Sequence, residues 1–132
     1  MSKKNKPILV FSCTHAPAMH QKFIPFLKRI QKKHDCGRVI HLGDAVDWSA
    51  ISFHEKDPSM PSAAEEYRQA AKQMAQLYRA FPKLDYIMGN HCSFPSRKAK
   101  MIGLQEEVLC NFKAQWSVDG WPVPARFRTR GS

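Results

Sequence analysis

The sequence predicts an α/β fold in which a central mixed or parallel sheet is flanked by helices. Three short apolar segments alternate with two segments of helical periodicity, and this order is typical of strands joined by crossover helices. The chain has 132 residues, of which 43% are hydrophobic, so it can bury one modest core. We expect a single domain over residues 1–132, with residues 116–132 as an irregular basic tail.

The first third of the chain supplies two strands and one helix. The apolar run at residues 8–12 predicts the first strand, and apolar side chains at helical spacing predict a basic helix over residues 19–34, with a later start as the alternative because Pro25 lies in or near its first turns. Gly37 follows as a natural helix stop. Residues 38–42 include the β-branched Val39 and Ile40 and the apolar Leu42, and they predict the second strand.

A long helix follows a proline-containing loop over residues 48–61. Ser62 and Glu65 have the spacing of a capping box, which predicts a helix that runs to Ala80. Helical spacing also predicts which side chains are buried. We expect Tyr67, Ala70, Ala71, Met74, Leu77, Tyr78 and Phe81 on that face.

The remaining elements are shorter. Residues 84–88 predict the third strand, residues 93–100 predict a basic loop, and residues 105–112 predict a short helix. Beyond residue 116 the sequence is rich in proline, tryptophan and arginine and has no periodic pattern.

Polar side chains follow each predicted strand at its carboxyl end. Because the carboxyl ends of parallel strands meet at one edge of a sheet, we expect these side chains to lie close together. They are Cys13, His15, Asp44, Asp47, Asn90, His91 and Cys92. Thiolates, imidazoles and carboxylates bind divalent metals, so this edge is the predicted functional site.

The charge predicts an anionic partner. Lysine and arginine number 21 against 11 acidic residues, a net charge of +10, which suits a phosphate ester or a nucleic acid. Arg97 and Lys98 directly follow the third polar group and are candidate phosphate contacts; a solvated helix start is the alternative.

The sequence does not predict a membrane protein. No apolar run approaches the roughly 18 to 20 residues that cross a bilayer, and the lysine-rich start is not followed by a signal-peptide core. The four cysteines show no CxxC spacing, which fits a reducing compartment. We expect a soluble, cytoplasmic protein.

Three motifs resemble those of a known family. Cys13-Thr-His15, Gly43-Asp-Ala-Val-Asp47 and Gly89-Asn-His-Cys92 are similar to the first three blocks of the calcineurin-like metallophosphoesterases, D-x-H, G-D-x-x-D and G-N-H-D/E. Their order and their placement after three strands agree with that family, most closely with small phage or bacterial members. The resemblance implies a truncated metallophosphoesterase sandwich and metal-dependent hydrolysis of phosphate mono- or diesters.

The resemblance also implies roles for the site residues. In that family two divalent ions, manganese, iron or zinc, clamp the phosphate and activate a water. Cys13 and His15 would bind the first ion, Asp44 would bridge both ions, and Asn90 would bind the second.

Three further residues have implied roles. His91 would be the catalytic residue, which hydrogen-bonds the phosphate or protonates the leaving oxygen. Asp47 and Cys92 would support the ligands.

The motifs depart from the family pattern at two cysteines. Cys13 and Cys92 stand at acidic positions, and a thiolate suits zinc better than manganese. Cys92 also leaves His91 without its usual carboxylate partner, so the tautomer of His91 is expected to be less fixed. A zinc site made by both cysteines with His15 or His91 is one alternative, and two small buried cysteines are the other.

The chain also contains no histidine after His91, whereas the family has three further imidazole ligands there. One ion or none is therefore an alternative to two. The alternative function is a catalytically inactive metallophosphoesterase-like protein that binds a protein or nucleic acid. Because the second half of the sandwich is absent from the resemblance, a protein partner or a second copy of the chain could cover the sheet.

Overall fold

The computed structural model describes residues 5–123. Within that range, three parallel strands form one open sheet in the order β1-β2-β3, with four α-helices. The elements are β1 Ile8–Phe11, α1 Phe23–Lys33, β2 Arg38–His41, α2 Ala63–Ala80, β3 Asp85–Tyr86, α3 Phe94–Met101 and α4 Phe112–Trp116. This is the predicted α/β fold, and its sheet is parallel throughout the described residues.

The strands bury one face and expose the other. Leu9 and Phe11 of β1 point into the core, while Ile8 and Val10 are each 49% exposed. Leu42, directly after β2, is 50% exposed. Alternate side chains of a strand lie on opposite faces, so these three apolar residues mark the outer face. The resemblance implied that one face of the sheet could lack a cover, without indicating which face, and these exposed side chains mark it.

Helix α1 begins at Phe23, later than the predicted residue 19. Met19 is held outside the helix because its N–H donates to the side-chain oxygen of Gln73 and its carbonyl accepts from the Gln73 amide, both at 3.2 Å. A turn then brings the Phe23 N–H to the carbonyl of His20 at 2.9 Å, and the helix starts there.

Helix α2 follows the predicted pattern closely. The Ser62 hydroxyl accepts from the Glu65 N–H at 3.2 Å, which confirms the predicted N-cap. Ala70, Met74 and Leu77 are buried, as the spacing predicted. The unexpected member of this face is Glu66, which is only 3% exposed.

Two predictions for the later segments are wrong. Residues 93–100 are not a loop, because α3 begins at Phe94 with a proline in its first turn, where proline is well tolerated. The helix predicted over residues 105–112 is absent. A single 3₁₀ turn at Glu106–Val108 stands there, and extended Asn111 caps α4 by accepting from the Ala114 N–H at 2.9 Å.

The segment after α4 packs into the core. Three side chains at the end of α4 and beyond it are buried: Trp116, Val118 and Trp121. The indole N–H of Trp121 donates to the carbonyl of Phe81 at 2.7 Å and ties this segment to the end of α2. Residues 124–132 of the expected tail lie outside the described residues. In the part of the chain that the structure describes, no helix is long and apolar enough to cross a membrane.

Candidate functional site

The loops after β1 and β2 run side by side. The Cys13 N–H donates to the Gly43 carbonyl, and the His15 N–H donates to the Asp44 carbonyl, both at 3.0 Å. These bonds extend the strand pairing past the edge of the sheet. The first two motifs are therefore adjacent because their backbones are paired.

Three residues of these loops have left-handed backbone conformations. The φ angles are 56° at Cys13, 46° at His15 and 55° at Asp44. Such conformations are uncommon for residues other than glycine and cost of the order of 1–3 kcal/mol each. The paired backbones impose them at three of the four positions that the sequence predicts as metal ligands; the fourth is Asn90.

Two glycines allow the third motif to approach the second. A Cβ on Gly43, whose φ is 108°, would lie 2.6 Å from the Gly89 nitrogen. A Cβ on Gly89 would overlap the side chain and backbone of Asp44. Only glycine fits at either position, and the close approach lets Oδ1 of Asp44 accept from the His91 N–H at 2.9 Å.

Cys13, His15 and Asp44 form a compact group of possible metal ligands. One ligand atom from each lies within 4.8 Å of the others. Cys13 is exposed, and the other two are half-buried, so solvent reaches the group. A thiolate, an imidazole and a carboxylate form a donor set that suits a borderline-soft divalent ion such as zinc.

Asp47 contacts both histidines of the site. Nδ1 of His15 lies 2.9 Å from Oδ1 of Asp47, and Nδ1 of His91 lies 2.7 Å from the Asp47 carbonyl oxygen. A carbonyl can only accept, so Nδ1 of His91 carries a hydrogen and, in the neutral ring, Nε2 keeps its lone pair. The backbone carbonyl of Asp47 thus fixes the tautomer of His91, for which the sequence predicted no carboxylate partner.

A second group of possible metal ligands consists of His15, Asp47 and His91, and one ligand atom from each lies within 4.8 Å of the others. The two imidazole rings are perpendicular, with centroids 4.7 Å apart. Because Asp47 already engages Nδ1 of both rings, we interpret this group as a hydrogen-bonded support that orients the histidines. Nε2 of His15 is then available to an ion beside Cys13 and Asp44.

Cys92 lies in the core behind the site. Its sulfur is 2.7 Å from the Tyr86 hydroxyl, which accepts from the Ala45 N–H at 3.2 Å. Burial raises the pKa of the Cys92 thiol and that of the Tyr86 hydroxyl. Cys92 belongs to neither possible metal group among the described residues, so the structure does not bring it together with Cys13.

Tyr86 connects this region to the end of the chain. Its ring stacks on Phe112, at a centroid distance of 4.5 Å, and on Trp121, at 5.7 Å. The far side of the site loops is therefore supported by aromatic residues that lie beyond the three motifs.

The other predicted residues lie at the rim. Asn90 is exposed and stands immediately before the 3₁₀ turn His91–Ser93. Arg97 and Lys98 lie on α3, where both side chains contact the ring of Phe53.

Glu66 is a site-supporting residue that the sequence analysis missed. One of its carboxylate oxygens accepts from the Ser49 N–H at 2.7 Å and hydroxyl at 3.0 Å, and the other accepts from the Ala50 N–H at 2.8 Å. These bonds hold the loop that directly follows Asp47. The available signal was its position four residues before Ala70, in the apolar stripe of α2.

His41 is a second supporting residue. Its Nδ1 accepts from the Gly43 N–H at 3.0 Å, so Nε2 carries the hydrogen that Thr14 Oγ1 accepts at 3.1 Å, and the Thr14 hydroxyl donates to the Ala45 carbonyl at 3.0 Å. Burial, helped by the proximity of His15, lowers the pKa of His41 from 6.5 to about 3. The neutral ring therefore links the first two loops.

A cleft of about 480 Å³ opens beside Asp47 and His91. The loop before α2 forms its other wall and contributes His54 and Lys56. The cleft offers room for a substrate group next to the two residues.

Comparison with known proteins identifies one family. The family model Metallophos, described as calcineurin-like phosphoesterase, matches residues 6–127. No curated protein and no solved structure matches the chain.

Proposed function

Because the chain belongs to the calcineurin-like phosphoesterase family, we propose that it hydrolyses phosphate mono- or diesters with a divalent metal ion. The observation that supports the proposal is the convergence of three motifs at one sheet edge. Cys13, His15 and Asp44 offer three ligand atoms within 4.8 Å of one another, and His91 stands next to His15.

The residues fit one ion better than two. Cys13, His15 and Asp44 would hold it, and Asn90 is the family's further ligand position. The thiolate favours zinc over manganese. A bound ion supplies a positive charge that neutralises the phosphate and a water acidic enough to act as nucleophile near neutral pH.

His91 acts on the leaving group in this proposal. Nδ1 of His91 donates its hydrogen to the Asp47 carbonyl, with an N···O distance of 2.7 Å, so the ring takes up a second proton at Nε2, and the resulting imidazolium transfers that proton from Nε2 to the leaving oxygen. The Asp47 carboxylate orients His15 at the same time. Asp47 is therefore a positioning residue, and His91 is the catalytic residue.

The test combines a metal titration with two substrates. We expect calorimetry to show about one zinc per chain, and bis(p-nitrophenyl) phosphate to be hydrolysed by the zinc-loaded protein. His91→Ala should lower kcat by about 10²–10⁴-fold, and the loss should be larger for an alkyl phosphodiester, whose leaving oxygen depends more on a proton.

His34→Ala is the matched control, because His34 is exposed at the end of α1. It should leave metal binding and kcat unchanged. A protein that binds neither zinc nor manganese and hydrolyses neither ester would overturn the proposal.

A second candidate function is binding without catalysis. It is supported by the exposed apolar outer face of Ile8, Val10 and Leu42, which a protein partner or a second copy of the chain would cover. In that case the metal titration would be flat, and Val10→Lys would weaken association in sedimentation experiments while His91→Ala would not.

A further inference from the structure

A cluster of aromatic and basic side chains lies beside His91. We call Phe53, Phe94, Arg97 and Lys98 the aromatic–basic cluster. The ring of Phe53 meets that of Phe94 edge-on, with centroids 5.8 Å apart. The Arg97 guanidinium lies 4.6 Å from the Phe53 centroid, and the Lys98 ammonium lies 4.2 Å from the same centroid.

The two cations of this cluster stand apart from the ion pairs of the described residues. Among the described residues, neither Arg97 nor Lys98 forms an ion pair with an aspartate or glutamate. Both cations contact the same ring, at 4.6 Å and 4.2 Å from its centroid. A phosphate near that ring could therefore accept charge-assisted hydrogen bonds from these side chains.

The cluster continues directly into the candidate active site. The Phe94 ring lies 4.9 Å from that of His91, centroid to centroid, and Arg97 lies 5.7 Å from the Phe94 centroid. Phe53 itself is 44% exposed, and the next residue, His54, lines the cleft beside His91. A chain of phosphates could therefore pass from the cluster to His91 without leaving the surface.

We infer that the aromatic–basic cluster binds the phosphodiester backbone of a single-stranded nucleic acid, next to the phosphate held at His91. The inference rests on the proposed function for the position of the second phosphate. Aromatic rings interspersed with cations bind single strands because unpaired bases can stack on a ring while cations contact phosphates. The exposed part of Phe53 offers such a ring, and the net charge of +10 adds long-range attraction.

The test is fluorescence anisotropy with a labelled oligothymidylate of about 12 nucleotides, a length that covers one typical binding site. EDTA is present so that the strand is not cleaved. The double variant Arg97→Gln/Lys98→Gln should weaken binding by about tenfold or more and make the salt dependence shallower by about 1.4 in log–log slope, the value for two lost phosphate contacts. Phe53→Leu should weaken binding by about fivefold through lost stacking.

The matched control is Lys32→Gln/Lys33→Gln, which removes the same charge from the exposed end of α1. It should change affinity by less than about twofold, a small general charge effect. Equal losses in the two double variants, or a wild-type protein that does not bind the oligonucleotide, would overturn the inference. If the protein hydrolyses the small diester but does not bind the oligonucleotide, only this inference is wrong. If it binds the oligonucleotide at the cluster but neither binds metal nor hydrolyses the diester, only the proposed function is wrong.

Discussion

Glu66→Gln should destabilise the protein although it changes one atom of one side chain. Both carboxylate oxygens of Glu66 accept hydrogen bonds, from Ser49 and from Ala50, and the side chain is buried. A glutamine keeps one acceptor oxygen and replaces the other by an NH₂ group. That NH₂ group would face the Ala50 N–H, and two donors cannot form a hydrogen bond with each other.

The expected loss follows from the bond that disappears. A hydrogen bond to a charged group contributes about 1.5–3 kcal/mol, and a donor left without an acceptor loses that contribution in full. Oε1 can keep both Ser49 bonds, so the Ala50 N–H is the donor that loses its partner. We expect a decrease of about 2 kcal/mol in the free energy of unfolding.

Urea unfolding followed by tryptophan fluorescence measures this loss. With a denaturant slope of about 1.5 kcal/mol/M, the midpoint should fall by about 1.3 M. Glu65→Gln is the control, because Glu65 is exposed and its ion pair with Arg68 is long, at 3.8 Å. It should change stability by less than about 0.5 kcal/mol. Equal midpoints for the two variants would refute the reasoning.

Three other predictions concern metal preference, backbone approach and pH. Cys13→Asp restores a carboxylate at a left-handed position that aspartate tolerates, and it should shift relative affinity from zinc toward manganese by about tenfold or more in calorimetric titrations. Gly89→Ala should lower the urea midpoint more than Gly103→Ala, because a Cβ at position 89 would overlap Asp44 whereas one at position 103 would meet open space, although Gly103 has a positive φ of 75°. The pKa of His41 falls from 6.5 to about 3 on folding, so the unfolded chain binds a proton that the folded protein excludes. Stability should therefore decrease by up to about 1.4 kcal/mol per pH unit as the pH drops between those values, and His41→Gln should remove this dependence while His34→Gln should not.

A specific result would contradict each of these three predictions. An unchanged zinc preference in Cys13→Asp would mean that the thiol is not a ligand. Similar midpoints for the two glycine variants would contradict the close approach of the second and third motifs. Parallel stability curves for wild type and His41→Gln would contradict a buried neutral imidazole.

The sequence predicted the sheet and the grouping of the motifs because both depend on local patterns. Apolar runs that end in polar residues specify strands and the edge at which they end. The parallel pairing then brings Cys13, His15 and Asp44 together without further information. The late helices were mispredicted because their boundaries depend on single capping residues, such as Asn111, in segments with weak periodicity.

The contacts that support the candidate site are harder to predict from the sequence. Glu66 bonds to a loop 16 and 17 residues earlier, and the Asp47 carbonyl replaces a side-chain partner that the motif lacks. Every residue has a backbone carbonyl, so the sequence does not indicate which carbonyl accepts a hydrogen bond from a side chain. Contacts of this kind become visible only when the loops have a defined path.

The stacking of Tyr86 on Phe112 and Trp121 has a consequence for the order in which the protein matures during synthesis. Every candidate ligand has been translated by residue 92, but the two rings that stack on Tyr86 leave the ribosome later. A nascent chain therefore carries its thiol, imidazole and carboxylate groups before the wall behind them can form. We expect loading with an ion to follow the emergence of Trp121, and the last described segment then determines when the site becomes competent.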